Sequence, residues 1–189
     1  MGHREDLLAG ARRCLEQRGY ARTTARDLVA ESGTNLASIG YHFGSKEALL
    51  NEAIGLSCAE WAEHVRALAL AVEGDEPRTM LVASWDAMLA SFAEYRGLAV
   101  AFTEAMTQAH RRPELRAQLA EIYEECRAAV AAMIAEILGV EEGPQVRALA
   151  SFELVVFDGL LAQWLLDPDA VPSGAELGAA FEMALRRFP

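Results

Sequence analysis

Thr24-Ala-Arg-Asp-Leu-Val-Ala-Glu-Ser-Gly-Thr-Asn-Leu-Ala-Ser-Ile-Gly-Tyr-His-Phe-Gly-Ser-Lys-Glu-Ala-Leu-Leu50 reads as two short helices and the start of a longer one. Thr24 stands three residues before Asp27 and just ahead of Leu28 and Val29, the pattern of a hydroxyl N-cap with a reciprocal acidic partner. Gly33 ends that helix. After a turn of three to four residues a second short helix is predicted over about 36–43, Gly44-Ser45 punctuates it, and Lys46-Glu47-Ala48-Leu49-Leu50 opens the next. Two short helices joined by a Gly-containing turn form a helix-turn-helix pattern.

Outward from this stretch, helical periodicity continues in both directions, and no run of alternating β-branched residues competes with it. Before it, a helix over about 3–18 carries Leu7, Leu8, Ala11, Cys14 and Leu15 on one stripe, with Gly19 as its stop and Tyr20 packing back over the last turn. After it, a fourth helix runs to about residue 72 and breaks at Gly74-Asp75-Glu76-Pro77. The buried face of the fifth helix is expected at Leu81, Trp85, Met88, Phe92 and Tyr95, and that of the sixth at Leu98, Phe102 and Met106. Pro113 opens a seventh helix stopped by Gly139. Pro144 opens a very apolar eighth, which ends at Asp167-Pro168, and Ser173 caps a ninth bearing Leu177, Phe181, Leu185 and Phe188. The expected fold is all-α with about nine helices: an N-terminal three-helix unit over 1–50, and a larger helical bundle over 51–189.

The 189 residues are 52 % apolar and 24 % charged, values that set aside collagen-like, disordered and disulfide-framework chains. The net charge of −11 suits a protein that repels polyanions, but it is unevenly spread. Residues 1–50 hold seven basic side chains against six acidic ones, and residues 51–189 hold ten against 22. Any surface that faces nucleic acid is therefore expected in the first fifty residues. Cys14, Cys58 and Cys126 are widely spaced without a C-x-x-C, which suggests free thiols in a reducing compartment. No uninterrupted apolar run approaches the roughly 18 residues of a membrane span, so a cytoplasmic protein with no membrane partner is expected.

In a helix-turn-helix module the second helix enters the major groove, while the N-terminus of the first offers N–H groups and a cap hydroxyl to phosphate. Here Thr23 and Thr24 supply hydroxyls, Arg22 and Arg26 add charge, and Lys46, the only lysine, follows the second helix. The quoted stretch resembles the DNA-binding signature of the TetR/AcrR family of transcriptional regulators, over about residues 5–54 and most specifically at Tyr41-His42-Phe43-x-Ser45-Lys46-Glu47.

The resemblance implies a homodimer whose N-terminal units read the half-sites of a palindromic operator in double-stranded DNA, and whose C-terminal helices hold a small-molecule inducer. It implies phosphate contacts at Thr24, Tyr41 and Lys46, with Thr34, Asn35, Leu36, Ser38 and Gly40 on or near the groove-facing surface. Asn35 carries the donor and acceptor suited to adenine, and Ser38 suits several bases, so these two are the expected base readers. Leu36 and Ala37 either touch a thymine methyl or pack; His42 either braces the helix or touches DNA. Two positions depart from the family habit: Gly40 stands where an aromatic or polar side chain is frequent, and Leu36 where a basic or polar one is common.

Within the acidic body, the resemblance raises Trp85, Met88, Phe92, Phe102 and Met106 as candidate ligand-binding residues, with Glu104, Asp158, Gln163 and His110 as polar neighbours. The last two helices carry more apolar surface than a monomer ordinarily exposes, which points to a dimer through them. Catalysis is not expected. No His follows a Glu or Asp by three residues, and His-Glu-x-x-His, Gly-x-Ser-x-Gly and Gly-x-x-x-x-Gly-Lys are all missing, so no enzyme, metal or cofactor is anticipated. The competing reading is a helical ligand-binding or interaction module that does not bind DNA.

Overall fold

The computed structural model describes residues 2–71 and 76–187. Gly74 and Asp75 of the expected interhelical break, and Phe188 of the ninth helix's stripe, lie outside the described residues. The described residues form α1 (His3–Arg18), α2 (Ala25–Ser32), α3 (Leu36–Phe43), α4 (Lys46–Leu70), α5 (Pro77–Ser91), α6 (Arg96–Ala109), α7 (Pro113–Leu138), α8 (Pro144–Leu166) and α9 (Gly174–Arg187). A single 3-10 turn, Pro168–Ala170, precedes α9. The architecture is all-α, as expected, and Pro at the first turn of α5 and of α8 begins helices where its missing N–H is harmless.

Two compact units make up the chain: residues 1–60 with 94–125, and residues 61–93 with 126–189. In the first, α1 buries Leu7, Leu8, Ala11, Cys14 and Leu15, and Tyr20 closes over its last turn. Leu28, Ile39, Leu49, Leu50 and Ile54 complete this core from α2, α3 and α4. The buried face of α6 differs from expectation: it is Ala99, Ala101, Ala105 and Ala109, while Leu98 and Phe102 are half-buried and Met106 is exposed. The cause is close approach. A Cβ on Gly97 would come within 2.6 Å of the Glu16 Cα, so α6 meets α1 almost backbone to backbone, and side chains larger than alanine are turned aside.

In the second unit, Trp61, Phe92, Phe157 and Trp164 form an aromatic cluster with ring centroids 4.7–5.8 Å apart, and Trp61 Nε1 donates to Ser91 Oγ at 2.7 Å. Ala131, Ile134, Val146 and Ala150 form a further core patch between α7 and α8. At α9 a Ser173–Glu176 capping box holds the N-terminus: Ser173 N–H donates to Glu176 Oε2 at 2.9 Å, and Glu176 N–H donates to Ser173 Oγ at 3.3 Å.

By length and composition α8 is apolar enough to cross a membrane, with a mean hydropathy of 1.5 over its best window, although only 17 % of that window is buried. The sequence expectation holds for uninterrupted runs, because Glu153 and Asp158 divide this one.

Candidate nucleic-acid interface

Thr24 and Asp27 form the predicted reciprocal cap. Asp27 N–H donates to Thr24 Oγ1 at 3.2 Å, Thr24 N–H donates to Asp27 Oδ2 at 2.9 Å, and the Thr24 hydroxyl donates to the same oxygen at 2.6 Å. These bonds from Thr24, with Arg18 3.5 Å away, hold the Asp27 carboxyl below its ordinary range. A cap of this kind contributes about 1 kcal/mol. Gly33 then terminates α2 at φ +66°, a left-handed conformation that favours glycine. Thr23 is a correction: its side chain is buried and its hydroxyl donates to the Gly19 carbonyl at 2.7 Å, so it braces the α1–α2 turn instead of facing phosphate.

Asn35 is the N-cap of α3, its Oδ1 accepting from Ser38 N–H at 3.1 Å. Thr34 Oγ1 and Ser32 Oγ are hydrogen-bonded at 2.8 Å. The helical period divides α3 into an outer side, Leu36, Ala37, Gly40 and Tyr41, and an inner side containing Ser38 and Ile39. Ser38 is therefore a second correction. It is only 8 % exposed and its Oγ lies 3.4 Å from His3 Nδ1, so the rotation of the helix takes this expected base reader off the outer surface. Leu36 is 54 % and Tyr41 85 % exposed. The half-buried His42 ring lies edge-on to its sequence neighbours, 4.8 Å from Tyr41 and 6.3 Å from Phe43.

Most of the basic side chains of the first fifty residues are neutralised from within. Arg4 pairs with Glu52 and lies over the Phe43 ring, Arg12 pairs with Glu60, Arg13 with Glu31 at 2.6 Å, and Arg18 with Asp27. Lys46 is half-buried; its Nζ donates to the Thr23 carbonyl at 2.9 Å and lies 3.6 Å from Glu47, which Arg112 also approaches at 3.5 Å. Arg22 and Arg26 are exposed and have no carboxylate partner among the described residues. They flank Thr24, so the uncompensated positive charge is concentrated at the N-terminus of α2.

Two supporting contacts had no clear sequence signal. Glu104, considered from the sequence as a ligand-orienting group, instead accepts the Ala21 N–H at 2.9 Å from across 83 positions. Tyr20 Oη donates to Asn51 Oδ1 at 2.8 Å, and the Asn51 amide donates to Gln118 Oε1. Asn51 amid Leu49, Leu50, Ala53 and Ile54 was the legible hint of a buried amide; nothing in the spacing named its partners.

The candidate ligand-binding residues fall in two places. In the second unit Trp85, Met88 and Phe92 are buried; Phe92 belongs to the aromatic cluster, and Trp85 stands edge-on to Phe181 while its Nε1 donates to Glu153 Oε2 at 2.8 Å. Burial pushes the Glu153 carboxyl up, with the Trp85 bond acting in the opposite sense. In the first unit Phe102 packs on Tyr123 at 5.8 Å, and Met106 is exposed. Among the described residues no His, Cys, Asp and Glu cluster is arranged to hold a metal ion.

Residues 7–53 match the bacterial regulatory proteins of the tetR family, and residues 77–187 match the C-terminal region of BetI-type transcriptional repressors. The HTH-type transcriptional repressor AcnR of Corynebacterium efficiens is 39 % identical over 62 residues, a stretch that spans a third of this chain and a third of that repressor. Among solved structures, a transcriptional regulator from Rhodococcus sp. RHA1 superposes with a TM-score of 0.74 at 18 % identity, covering 97 % of this chain and 94 % of that one. A regulator from Saccharomonospora viridis, in complex with choline, gives 0.66 at 23 % identity over 97 % and 95 %. These likenesses show a shared fold. With the N-terminal segment and the larger C-terminal region both matched, the chain belongs to the tetR family of bacterial regulatory proteins, DNA-binding transcriptional regulators and not enzymes.

Proposed function

We propose that this protein is a cytoplasmic homodimeric repressor that reads a palindromic operator through α3 and is released from it by a small molecule. The observation that carries the reading is the outer side of α3, solvent-exposed at Leu36, Ala37, Gly40 and Tyr41, together with Arg22 and Arg26, which flank Thr24 and meet no carboxylate among the described residues. Tyr41, Lys46 and the cap at Thr24 hold phosphates in this reading, with Asn35 and Thr34 at the groove edge; a phosphate at Thr24 draws that hydroxyl away from Asp27. Residues 1–50 act as the reading head, and the remainder binds ligand and dimerises.

Dimerisation is supported by α8. Ala148, Phe152, Val155, Gly159, Ala162 and Leu166 are all exposed and recur at alternating spacings of four and three, the seam by which one helix packs on a copy of itself. Exposed Met183 and Leu185 on α9 add to it. For the ligand, the half-buried Glu153 that accepts from Trp85, a ring itself edge-on to Phe181, supports an organic cation, the class to which the choline of the Saccharomonospora viridis complex belongs. Ligand that favours a dimer with its two α3 helices away from a separation of about 34 Å prevents both from entering successive major grooves.

Selection of bound duplexes from a random DNA library, followed by binding at two salt concentrations, tests the reading. An enriched palindrome with salt-sensitive affinity is expected. No enrichment at low salt by the ligand-free protein overturns it in favour of a bundle that does not read DNA.

A further inference from the structure

The side chains at the start of α3 have an unusual division. The hydroxyls and the amide oxygen there are already engaged within the protein: Thr34 with Ser32, Asn35 Oδ1 with the Ser38 backbone, and Ser38 inward beside His3. What α3 turns outward before Tyr41 is the isobutyl group of Leu36, the methyl of Ala37 and the bare backbone of Gly40. An adenine-reading amide needs its oxygen and its nitrogen together on the base edge, and the cap holds the Asn35 oxygen toward the helix.

Gly40 is not required by its own fold. Its φ is not positive, and nothing in the protein lies within 4 Å of the Cβ it lacks. Glycine inside a helix lowers stability by up to about 1 kcal/mol relative to alanine. On the exposed side of α3, one turn after Leu36 and beside Ala37, its effect is to thin the helix where it would meet another surface.

We propose that α3 selects its operator through the 5-methyl groups of thymine: Leu36 and Ala37 form the apolar contact, and Gly40 lets the helix axis approach the base edges. In the major groove the thymine methyl is the one apolar feature among the base-edge patterns, and aliphatic side chains are its matching partners. Arg22 and Arg26 set affinity in this scheme without contributing sequence preference, since phosphate contacts carry none. The inference rests on the DNA-reading function proposed above and names the feature of the duplex that is read.

The test uses the full-length protein and the duplex enriched in the selection, with each thymine replaced in turn by deoxyuridine, which removes the methyl and leaves the hydrogen-bonding edge intact. At one or two positions per half-site the affinity is expected to fall about four-fold, the worth of one buried methyl-sized group. Leu36→Ala is expected to abolish the difference between thymine and uracil at one of those positions with Tm unchanged, whereas Arg22→Ala weakens both duplexes alike. Gly40→Ala is expected to hold or raise Tm while weakening the selected duplex more than an unrelated one. Selective binding that survives the whole uracil series unchanged overturns the methyl readout and leaves DNA reading standing. Absence of selective binding by any duplex overturns both.

Discussion

Among the described residues, the exposed apolar faces of α3 and α8 have surroundings that give them opposite meanings. The face on α3 is two turns long and ends in the phenol of Tyr41, and the same segment carries the exposed Arg22 and Arg26 on either side of Thr24, so a partner there is expected to bring negative charge and to accept small apolar groups. The face on α8 runs from Ala148 to Leu166, nearly the length of a 23-residue helix, and Phe152, Val155, Gly159, Ala162 and Leu166 follow one another on it without a charge. Val155 is 68 % and Leu166 88 % exposed. A long uncharged stripe of mixed large and small residues fits a copy of itself; a short one with cations beside it fits a groove in a polyanion. Exposed apolar area is thus an incomplete signal. Its length and the charge at its border decide what covers it.

The largest effect is expected at α8. Val155→Arg is expected to convert the dimer into a monomer in sedimentation experiments while leaving helical content unchanged, and to weaken operator binding about 100-fold or more through loss of the second half-site. A Val155→Arg protein that stays dimeric removes α8 from the interface. At α3 the contrast is sharpened by charge: the double substitution Arg22→Ala and Arg26→Ala is expected to make the slope of log affinity against log salt shallower by about two per subunit. Arg13→Ala, whose guanidinium is already held by Glu31, is expected to leave the slope near its original value.

A smaller effect is expected at the support beneath α2. Glu104→Ala leaves the Ala21 N–H without its acceptor and is expected to lower stability by about 1 kcal/mol, with a matching loss of DNA affinity, as read by thermal melting and binding titration. Glu104→Gln keeps an acceptor and is expected to retain most of both. An unchanged melting curve for the alanine variant places α6 outside the support of the reading head.

The smallest effect is expected at Glu153. Its carboxyl is pushed up by burial in the folded protein, so the folded state favours the protonated form, and the wild type loses stability as pH rises through the ordinary glutamate range toward the raised value. Glu153→Gln, which still accepts from Trp85, is expected to melt slightly higher at neutral pH and equally with wild type in acid. Asp27 has the opposite sign. Its carboxyl is depressed by Thr24, so its contribution is complete at neutral pH and is lost as pH falls through the depressed value.

Much of this was legible in the sequence because it depends on neighbours along the chain. Thr24 and Asp27, Gly33, Pro113 with Leu138, and Pro144 with Leu166 are local signals: a cap, a left-handed stop, a proline start, a terminus. Each acts within four residues, so the local sequence carries it. Face assignments were legible where one side of a helix is much larger than the other, as in α1. They failed in α6, where packing selected the smaller side because Gly97 brings two backbones together.

For the candidate site, the order of residues was enough to place the helix-turn-helix segment, its caps, and the hydroxyls, amides and guanidinium groups it contains. Packing between elements settles which of those groups remain available. Ser38 points inward, Thr23 answers a carbonyl, Asn35 serves the helix that it opens, and four arginines are met by Glu52, Glu60, Glu31 and Asp27. A hydrogen-bonding group is defined by its chemistry, which is local, but its availability depends on every element packed around it. Three of those four carboxylates stand 18 or more positions away along the chain, at separations only the fold can bring together.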